Sequence, residues 1–438
     1  MVLETNRSSG GESVTAVLPA ASTAETLPLA ARWPTILRLL RNFGPAFLVS
    51  VGYMDPGNWA TDIQGGASFN YQLLFVVLLS GWIAIFLQIM SARLGIATGR
   101  GLAANCRETY PPRVKFALWF GMELAVIATD LAEFLGSALG ISLLFHLPLM
   151  TAVLITGLDV LFILWLEQFG FRAVELVIIG LVMLVGWAYV IELLIAKPDW
   201  GGVVQGTVIP HLNSGNILVA IGILGATVMP HNLFLHATQI TTRLTPGADK
   251  RRILRWAKID TFVALNAAWL VNSAILIMAA AVFFSSGHTE VAAIDTAYKT
   301  LVPIVGSGAA LLFAIALLAS GLSSSVTGTM AGQIVTEEFW HIKIAPWKRR
   351  LITRVIVMIP ALIAVAVFTN PLDILVVSQV ALSFMLPFAI IPLIDLTRRR
   401  KLMGEFANSR ITNVIAVGIL LFVIVANAVL LYTTFFPG

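Results

Sequence analysis

Long apolar stretches that recur along the whole chain constrain its fold more than any other feature of the sequence. The last of them, Ile411 to Phe436, contains no charged residue. A helix needs about 20 apolar residues to cross the ~30 Å hydrocarbon core of a bilayer. Hydrophobic residues make up 58% of the 438 positions and charged residues only 12%, which excludes a soluble protein with a water-facing exterior. The sequence therefore predicts an all-α integral membrane protein.

Eleven stretches are long enough to cross a membrane, and we number them as spans 1 to 11. They cover residues 43–66, 71–92, 116–144, 148–166, 173–196, 215–241, 256–285, 299–326, 351–369, 373–396 and 411–435. Residues 1–31 are rich in Ser, Thr, Ala and Glu and contain no apolar run of signal-peptide length. We expect them to form a disordered cytosolic tail that precedes a transmembrane domain at 32–435.

The basic residues lie almost entirely in alternate loops. If the N-terminus is inside, 26 of the 28 lysines and arginines fall on the inner side, and only Lys197 and Lys299 fall outside. Basic residues in short loops are retained in the cytoplasm. The pattern predicts a plasma (inner) membrane protein with a cytoplasmic N-terminus and an extracytoplasmic C-terminus. It also explains the net charge of +5 by loop charges, so nucleic-acid binding is not needed to account for it.

Spans 1 and 6 are each interrupted by a short polar motif that contains a proline. Span 1 is broken by Asp-Pro-Gly-Asn at 55–58, and span 6 is broken by Met-Pro-His-Asn at 229–232. Breaks five spans apart predict two repeats, about 43–196 and 215–396, followed by an extra helix at 411–435. Because five is odd, the second repeat is inverted in the membrane. Unwound backbone at membrane depth is tolerated where it lines a cavity, so paired broken helices indicate a transport site near the midplane.

The side chains at the two breaks indicate a cation site. A carboxylate such as Asp55 costs at least ~2.5 kcal/mol at bilayer depth, so it persists only where it is paired, hydrated or bound to a cation. Asn58 can bring a carboxamide oxygen to the same ion. A methionine in a membrane helix usually only packs. Opposite Asp55, however, the thioether of Met229 is a soft ligand that would favour transition metals over Mg²⁺ and Ca²⁺.

These motifs, taken together, resemble the Nramp family of proton-coupled divalent metal transporters, in its bacterial manganese-importer branch. The resemblance extends over essentially everything after the N-terminal tail. It rests on the two break motifs, 55–58 and 229–231, and on three further stretches. These stretches are 128–134 in span 3, 225–228 before the second break, and 321–332 after span 8.

The resemblance implies a leucine-transporter-like fold with eleven transmembrane helices that imports Mn²⁺, and also Fe²⁺ and Cd²⁺, together with protons by alternating access. It implies a monomer without a resident cofactor, since the metal and the protons are cargo. Carried onto matching positions, the metal ligands would be the side chains of Asp55, Asn58 and Met229, the carbonyls of Gly52 and Ala226, and Gln379 in an occluded state. The family usually has alanine where this chain has Gly52.

Three acidic residues in span 3 indicate a proton relay or an ion pathway. Glu123, Asp130 and Glu133 are spaced by seven and three residues, which places them along one side of a helix. Acidic residues inside a membrane bundle are expected to have a function and a partner from another span.

The resemblance assigns proton handling to His231 as well as to Asp130 and Glu133, and it assigns partner roles to Arg349 and Arg350. Anchoring by the positive-inside rule explains either arginine alone equally well. His231 could instead bind the metal, because imidazole suits Mn, Fe and Zn. His236, just over one turn further on, could extend the relay or simply pack against polar neighbours.

Other classes of protein fit the sequence less well. A membrane-embedded metal enzyme lacks a His-Glu-x-x-His motif, and the single cysteine, Cys106, excludes a cysteine-based metal centre. A passive channel would show flux that does not depend on a proton gradient. An amino-acid transporter would offer free backbone amides to a carboxylate rather than Asp55. A Mg²⁺-transporting relative on the same fold is the most serious alternative, and Met229 argues against it.

Overall fold

The structure is a computed structural model that describes residues 44–158, 171–287, 307–342, 345–367 and 371–436. Within these ranges every regular element is a helix, which confirms the predicted all-α class. In the described residues each of the eleven predicted spans contains a helix or a pair of helices, and parts of spans 4, 8 and 9 lie outside those residues. The predicted cytosolic tail, 1–31, also lies outside them.

The helices of the first repeat follow the predicted order. They are Pro45–Gly52 and Pro56–Phe69 in span 1, Leu74–Thr98 in span 2, Pro112–Phe145 in span 3, Leu149–Thr156 in span 4 and Phe171–Ala196 in span 5. The later spans are Ile217–Thr227 and Pro230–Gln239 (span 6), Lys250–Ala279 (span 7), Ser307–Trp340 (span 8), Pro346–Val367 (span 9), Pro371–Arg398 (span 10) and Arg410–Phe435 (span 11). By length and composition, eight segments of the described chain are apolar enough to cross a membrane.

The sequence placed the end of span 8 too early. We predicted an end at residue 326, whereas the helix continues to Trp340. The added turns carry polar side chains that hydropathy does not count as spanning, such as Thr336, which is buried inside the protein. Two short helices were also missed, Leu102–Thr109 and Trp200–Val208, because they are too short to cross a bilayer.

Both broken spans restart at a proline. Pro56 and Pro230 occupy the first turn of the second helix in spans 1 and 6, where a missing N–H costs least. A proline also leaves the carbonyl four residues earlier without its helical donor. Those carbonyls belong to Gly52 and Ala226, the two residues predicted as backbone ligands. The prolines therefore free one carbonyl on each side of the bundle centre.

Span 7 holds the beginning of span 1. The carboxylate of Asp260 accepts hydrogen bonds from the backbone N–H groups of Gly44 at 3.2 Å and Ala46 at 3.1 Å. Donors at the start of a helix have no partner within the helix itself. Asp260 satisfies two of them and ties the first half of span 1 to span 7.

Glycines let span 3 approach the first break closely. A Cβ atom on Gly136 would lie 2.1 Å from the Cβ of Pro56, so no larger residue fits there. Small residues are what allow membrane helices to come this close. Glu133 lies one turn before Gly136 in the same helix. Span 3 therefore packs against the first break one helical turn from Glu133.

Candidate metal site

Asp55 lies at the centre of the site and is fully buried. It is the N-cap of the second helix of span 1, and its Oδ1 accepts hydrogen bonds from the backbone N–H of Asn58 at 2.8 Å and from the Asn58 Nδ2 at 2.7 Å. Among the described residues, its Oδ2 has no hydrogen-bond partner. A buried carboxylate oxygen without a partner is costly unless a cation compensates it. Asp55 therefore has one oxygen held in place and one free to bind a cation.

Asn58 joins the two breaks. The same Nδ2 that donates to Asp55 also donates to the carbonyl of Ala226 in span 6, at 3.2 Å. Its Oδ1 accepts from the Nδ2 of Asn272 in span 7, at 3.2 Å. A carboxylate oxygen and a backbone carbonyl thus converge on one amide nitrogen. If the amide rotates, Oδ1 replaces that nitrogen and three oxygens can meet on a cation.

Met229 lies on the span 6 side of the site and is fully buried at the N-cap of the second helix. Its Sδ accepts a hydrogen bond from the Nδ2 of Asn232 at 3.3 Å. A Cβ atom on Gly52 would lie 3.5 Å from that sulfur and 2.6 Å from the Asn232 Nδ2. The thioether therefore faces the backbone of Gly52, and the absence of a side chain at 52 makes room for Asn232.

Gln379 lies beside this group. It is fully buried in span 10, and its Nε2 donates to the Ser378 Oγ at 3.0 Å. A Cβ atom on Gly57 would lie 2.1 Å from the same Nε2, so the amide rests on the first turn of the second helix of span 1. Its Oε1 is buried and has no partner in the described part of the chain.

Side chains from other spans stabilise the unwound backbone between Gly52 and Asp55. The carbonyl of Tyr53 accepts from the Asn272 Nδ2 at 2.9 Å, and that of Met54 accepts from the Trp59 Nε1 at 3.2 Å and from the Ser320 hydroxyl. Sequence reasoning missed these residues. Asn272 could have been found from the sequence, because a carboxamide in the middle of a membrane span needs a polar partner.

A second hydrogen-bonded chain links spans 6, 2 and 1. The Nδ1 of His236 lies 2.8 Å from the Gln88 Oε1, and the Gln88 Nε2 donates to the Tyr53 hydroxyl at 2.7 Å. His236 thus has a polar partner near the first break. His231 is also buried, and its Nδ1 has no partner among the described residues.

The span 3 acidic residues face span 8 and span 9. A Cβ atom on Gly328 in span 8 would lie 3.0 Å from both the Asp130 Oδ1 and the Glu133 Oε2, so these two carboxylates share one neighbouring surface. Glu123, nearer the start of the helix, forms an ion pair with Arg349 at 2.8 Å. The Thr336 hydroxyl donates to Glu123 and accepts from Arg349.

Arg349 is therefore buried in the bundle rather than anchored at the surface, with 9% of its area exposed. The side chain of Arg350 lies outside the described residues. Among the described side chains, no group of three His, Cys, Asp or Glu residues could hold a metal ion. A metal at the breaks would need the mixed set of carboxylate, carboxamide, thioether and carbonyl groups.

Two inverted repeats whose broken helices meet at a buried carboxylate define a secondary transporter of the inverted-repeat class. The family model for natural resistance-associated macrophage protein-like sequences matches residues 46–433. The chain belongs to this family, Nramp, as its motifs predict.

Curated relatives and solved structures agree with this assignment. The divalent metal cation transporter MntH of Nostoc sp. is 50% identical over 380 residues, which cover 85% of this chain and 86% of the relative. The structure of the Eremococcus coleocola manganese transporter is similar with a TM-score of 0.81 and 35% identity, covering 91% of this chain and 87% of that one.

A more distant structure supports the fold alone. Mhp1, a nucleobase-cation-symport-1 family transporter, is similar with a TM-score of 0.59 at 16% identity, covering 90% of this chain and 93% of that one. The predicted leucine-transporter-like fold of a multi-pass membrane protein is confirmed.

Proposed function

We propose that this protein imports divalent transition metal ions, Mn²⁺ and also Fe²⁺ and Cd²⁺, by proton-coupled alternating access. The observation that carries the proposal is the buried Asp55 carboxylate, which has one oxygen fixed by Asn58 and one without a partner among the described residues. The names of the relatives, divalent metal cation transporters and a manganese transporter, support it.

The donor set favours a transition metal. Asp55, Asn58 and the freed carbonyls of Gly52 and Ala226 are hard oxygen ligands that also suit Mg²⁺ and Ca²⁺. Met229 adds a soft sulfur that these two ions bind poorly. The Gln379 amide packs on Gly57, which lies between Asp55 and Asn58 in the sequence, and this position supports its predicted role as a ligand in an occluded state. A Mg²⁺ transporter would have no use for the thioether.

The proton route leaves the site along span 3. Glu133 lies one turn before Gly136, which contacts Pro56 at the first break, and it shares the surface beside Gly328 with Asp130. The Glu123–Arg349 pair continues the polar line toward the inner end of the helix. His231 and His236 stand beside the site on span 6, and Arg350 follows Arg349 in the sequence. Carboxylates inside a bundle that pair with a basic group are typical of proton relays.

The proposal includes the orientation of the protein in the membrane. The basic loops favour a cytoplasmic N-terminus and a cytoplasmic loop before span 7. In this proposal the protein acts as a monomer in the inner membrane. Span 1 then runs outward, so its second helix lies on the extracytoplasmic side of Asp55.

The decisive experiment removes the carboxylate of Asp55. Asp55→Ala should abolish Mn²⁺ binding in calorimetry and Mn²⁺ uptake into liposomes, because a divalent ion that leaves water needs a full negative charge to offset its desolvation. Asp373→Ala removes an exposed carboxylate at the start of span 10 and should leave both unchanged. Mn²⁺ binding at wild-type affinity in Asp55→Ala would disprove the site.

Proton coupling is tested separately. Glu133→Gln or Asp130→Asn should reduce metal-stimulated acidification of liposomes more than it weakens metal affinity, because these carboxylates lie outside the ligand set. A pH-sensitive dye inside the liposomes and calorimetry on the same variants measure the two effects. Wild-type proton flux in the double variant would place the route elsewhere, with His231 and Asp55 as the remaining candidates.

A further inference from the structure

A second group of ionisable side chains lies between the outer halves of spans 1 and 5, and nothing in the metal site or in the span 3 route uses it. Asp62, Tyr189 and Glu192 are each only 1% exposed. Four of their oxygens are buried and have no hydrogen-bond partner in the described part of the chain: Asp62 Oδ2, the Tyr189 hydroxyl, and both oxygens of Glu192.

Helical spacing and one aromatic contact place these groups on facing sides of the two helices. Trp59 packs edge-on against Tyr189, with ring centroids 4.9 Å apart at 69°. Asp62 lies three residues after Trp59, and Glu192 lies three residues after Tyr189, so each carboxyl group shares a helix face with one of the two rings. The phenol of Tyr189 lies within electrostatic range of both carboxyl groups.

The group sits close to the metal site but is separate from it. Asp62 is seven residues beyond Asp55, about two helical turns or roughly 10 Å further along span 1. Trp59 connects the two places, because its ring packs on Tyr189 while its Nε1 donates to the carbonyl of Met54 in the break. In the proposed orientation Asp62 and Glu192 lie on the outer side of Asp55.

No basic side chain of the described residues pairs with these acids. Besides Tyr189, Asp55 lies within electrostatic range of Asp62. On the neighbouring spans 7 and 8, acidic groups such as Asp260 and Glu338 belong to the opposite, inner ends of their helices. The ring of Tyr189 belongs to an apolar cluster that includes Val185 and Phe313, and Phe313 packs on Trp59.

A buried carboxylate without a partner is too costly to remain charged. A bound metal ion is unsuited to neutralise these acids, since no three His, Cys, Asp or Glu side chains of the described chain come together. A proton removes the charge and needs no further ligand. A hydroxyl beside two carboxyl groups can accept one proton while it donates another, so it passes a proton on without keeping a charge.

We propose that Glu192 and Tyr189, facing Asp62, form a second proton-holding site on the outer side of the metal site, through which external protons reach the first break. Glu192 holds the proton as a neutral carboxyl group. The proton moves to the Tyr189 hydroxyl, which releases its own proton to an ionised Asp62. Asp62 then gives that proton up toward Asp55 at the first break, and the next external proton restores the neutral carboxyl group of Glu192. The inference rests on the proposed proton coupling and supplies its outer half.

Infrared spectroscopy on the purified full-length protein without metal tests proton holding independently of transport. We expect carboxyl-group bands of protonated acids at neutral pH, and Glu192→Gln should remove one of them. Glu133→Gln, on the other side of the metal site, should leave the Glu192 band in place. If Glu192→Gln instead removes only an ionised-carboxylate band from the wild-type spectrum at neutral pH, the proposal is wrong, whatever the protein transports.

Liposome measurements test the route. Glu192→Gln and Tyr189→Phe should lower metal-stimulated proton influx several-fold and shift its dependence on external pH, while calorimetric Mn²⁺ affinity stays close to wild type. Tyr189→Phe keeps the ring contact with Trp59, so it separates the hydroxyl from packing. An unchanged external-pH profile in both variants would overturn the proposal. So would a second equivalent of bound Mn²⁺ that Glu192→Gln removes, since that would make the group a cation site.

Discussion

The absence of a side chain at Gly52 leaves room in the metal site for Asn232. A Cβ atom at 52 would approach the Asn232 Nδ2 to 2.6 Å, and that nitrogen donates to the Met229 Sδ at 3.3 Å. A hydrogen bond to a thioether engages one sulfur lone pair and leaves the other for a metal ion. Asn232 therefore orients the Met229 thioether, the proposed soft ligand, and Gly52 allows it to do so.

Gly52→Ala should weaken Mn²⁺ binding because the new methyl group displaces the Asn232 amide from Met229. A loss of about 1 kcal/mol is expected, the typical value of one hydrogen bond. Asn232→Ala removes the same bond, so the two substitutions should not be additive in a double-mutant cycle by calorimetry. Gly186→Ala, at a span 5 glycine with open space around it, is the matched control. Additive losses would show that the two residues act separately.

Met229 is expected to set selectivity more than affinity. A thioether fills a coordination position and binds Ca²⁺ and Mg²⁺ poorly, so its removal should let water or a carbonyl take that position. Met229→Ala should keep substantial Mn²⁺ uptake, weaken Cd²⁺ binding most and admit Ca²⁺ or Mg²⁺. Mn²⁺ uptake measured against excess Ca²⁺ and Mg²⁺ checks this. If the variant excludes both ions as well as the wild type does, Met229 only packs.

At the scale of helices, the sequence predicted the breaks far better than the helix ends. A proline beside polar residues in an apolar span strongly indicates a helix break, and both predicted breaks agree with the structure. The same prolines free the carbonyls of Gly52 and Ala226. The predicted end of span 8 was too early because a hydropathy pattern assigns polar residues such as Thr336 to a loop, even where neighbouring helices bury them.

Contacts between distant spans could not be predicted in this way. Asn272 bonds to Tyr53 and Asn58 across more than 200 residues, and Gln88 meets His236 from another span. Spacing within one helix carries no information about which helix lies opposite. The sequence predicted the candidate ligands at the breaks, and the fold added the side chains that hold the unwound backbone.

Asp260 gives a prediction at this scale. Asp260→Ala leaves the N–H groups of Gly44 and Ala46 without their acceptor, and losing a helix N-cap costs about 1 kcal/mol. Hydrogen exchange should therefore quicken in Pro45–Gly52, while the second helix of span 1 stays protected. Asp249→Ala removes the cap of span 7 itself and should leave span 1 unaffected. Equal exchange in wild type and Asp260→Ala would show that other contacts hold this helix.

At the scale of the whole molecule, the direction of import depends on which face of the bundle is cytoplasmic. The charge pattern predicts that the loop between spans 6 and 7 is inside and that the loop between spans 5 and 6 is outside. The chain suits a test of this, because its single cysteine, Cys106, is buried. A new cysteine in an exposed loop would be the accessible thiol.

Ser214→Cys and Thr245→Cys, each in a Cys106→Ala background, report the two faces. Both positions are exposed, and they flank span 6 on opposite sides. A membrane-impermeant maleimide added to intact cells should label residue 214 and leave residue 245 unlabelled, because the loop with Arg243 and Lys250 is retained inside. Residue 245 should react once the cells are opened, which shows that its thiol is accessible. Labelling of 245 alone in intact cells would reverse the orientation, and Asp62 and Glu192 would then face the cytoplasm.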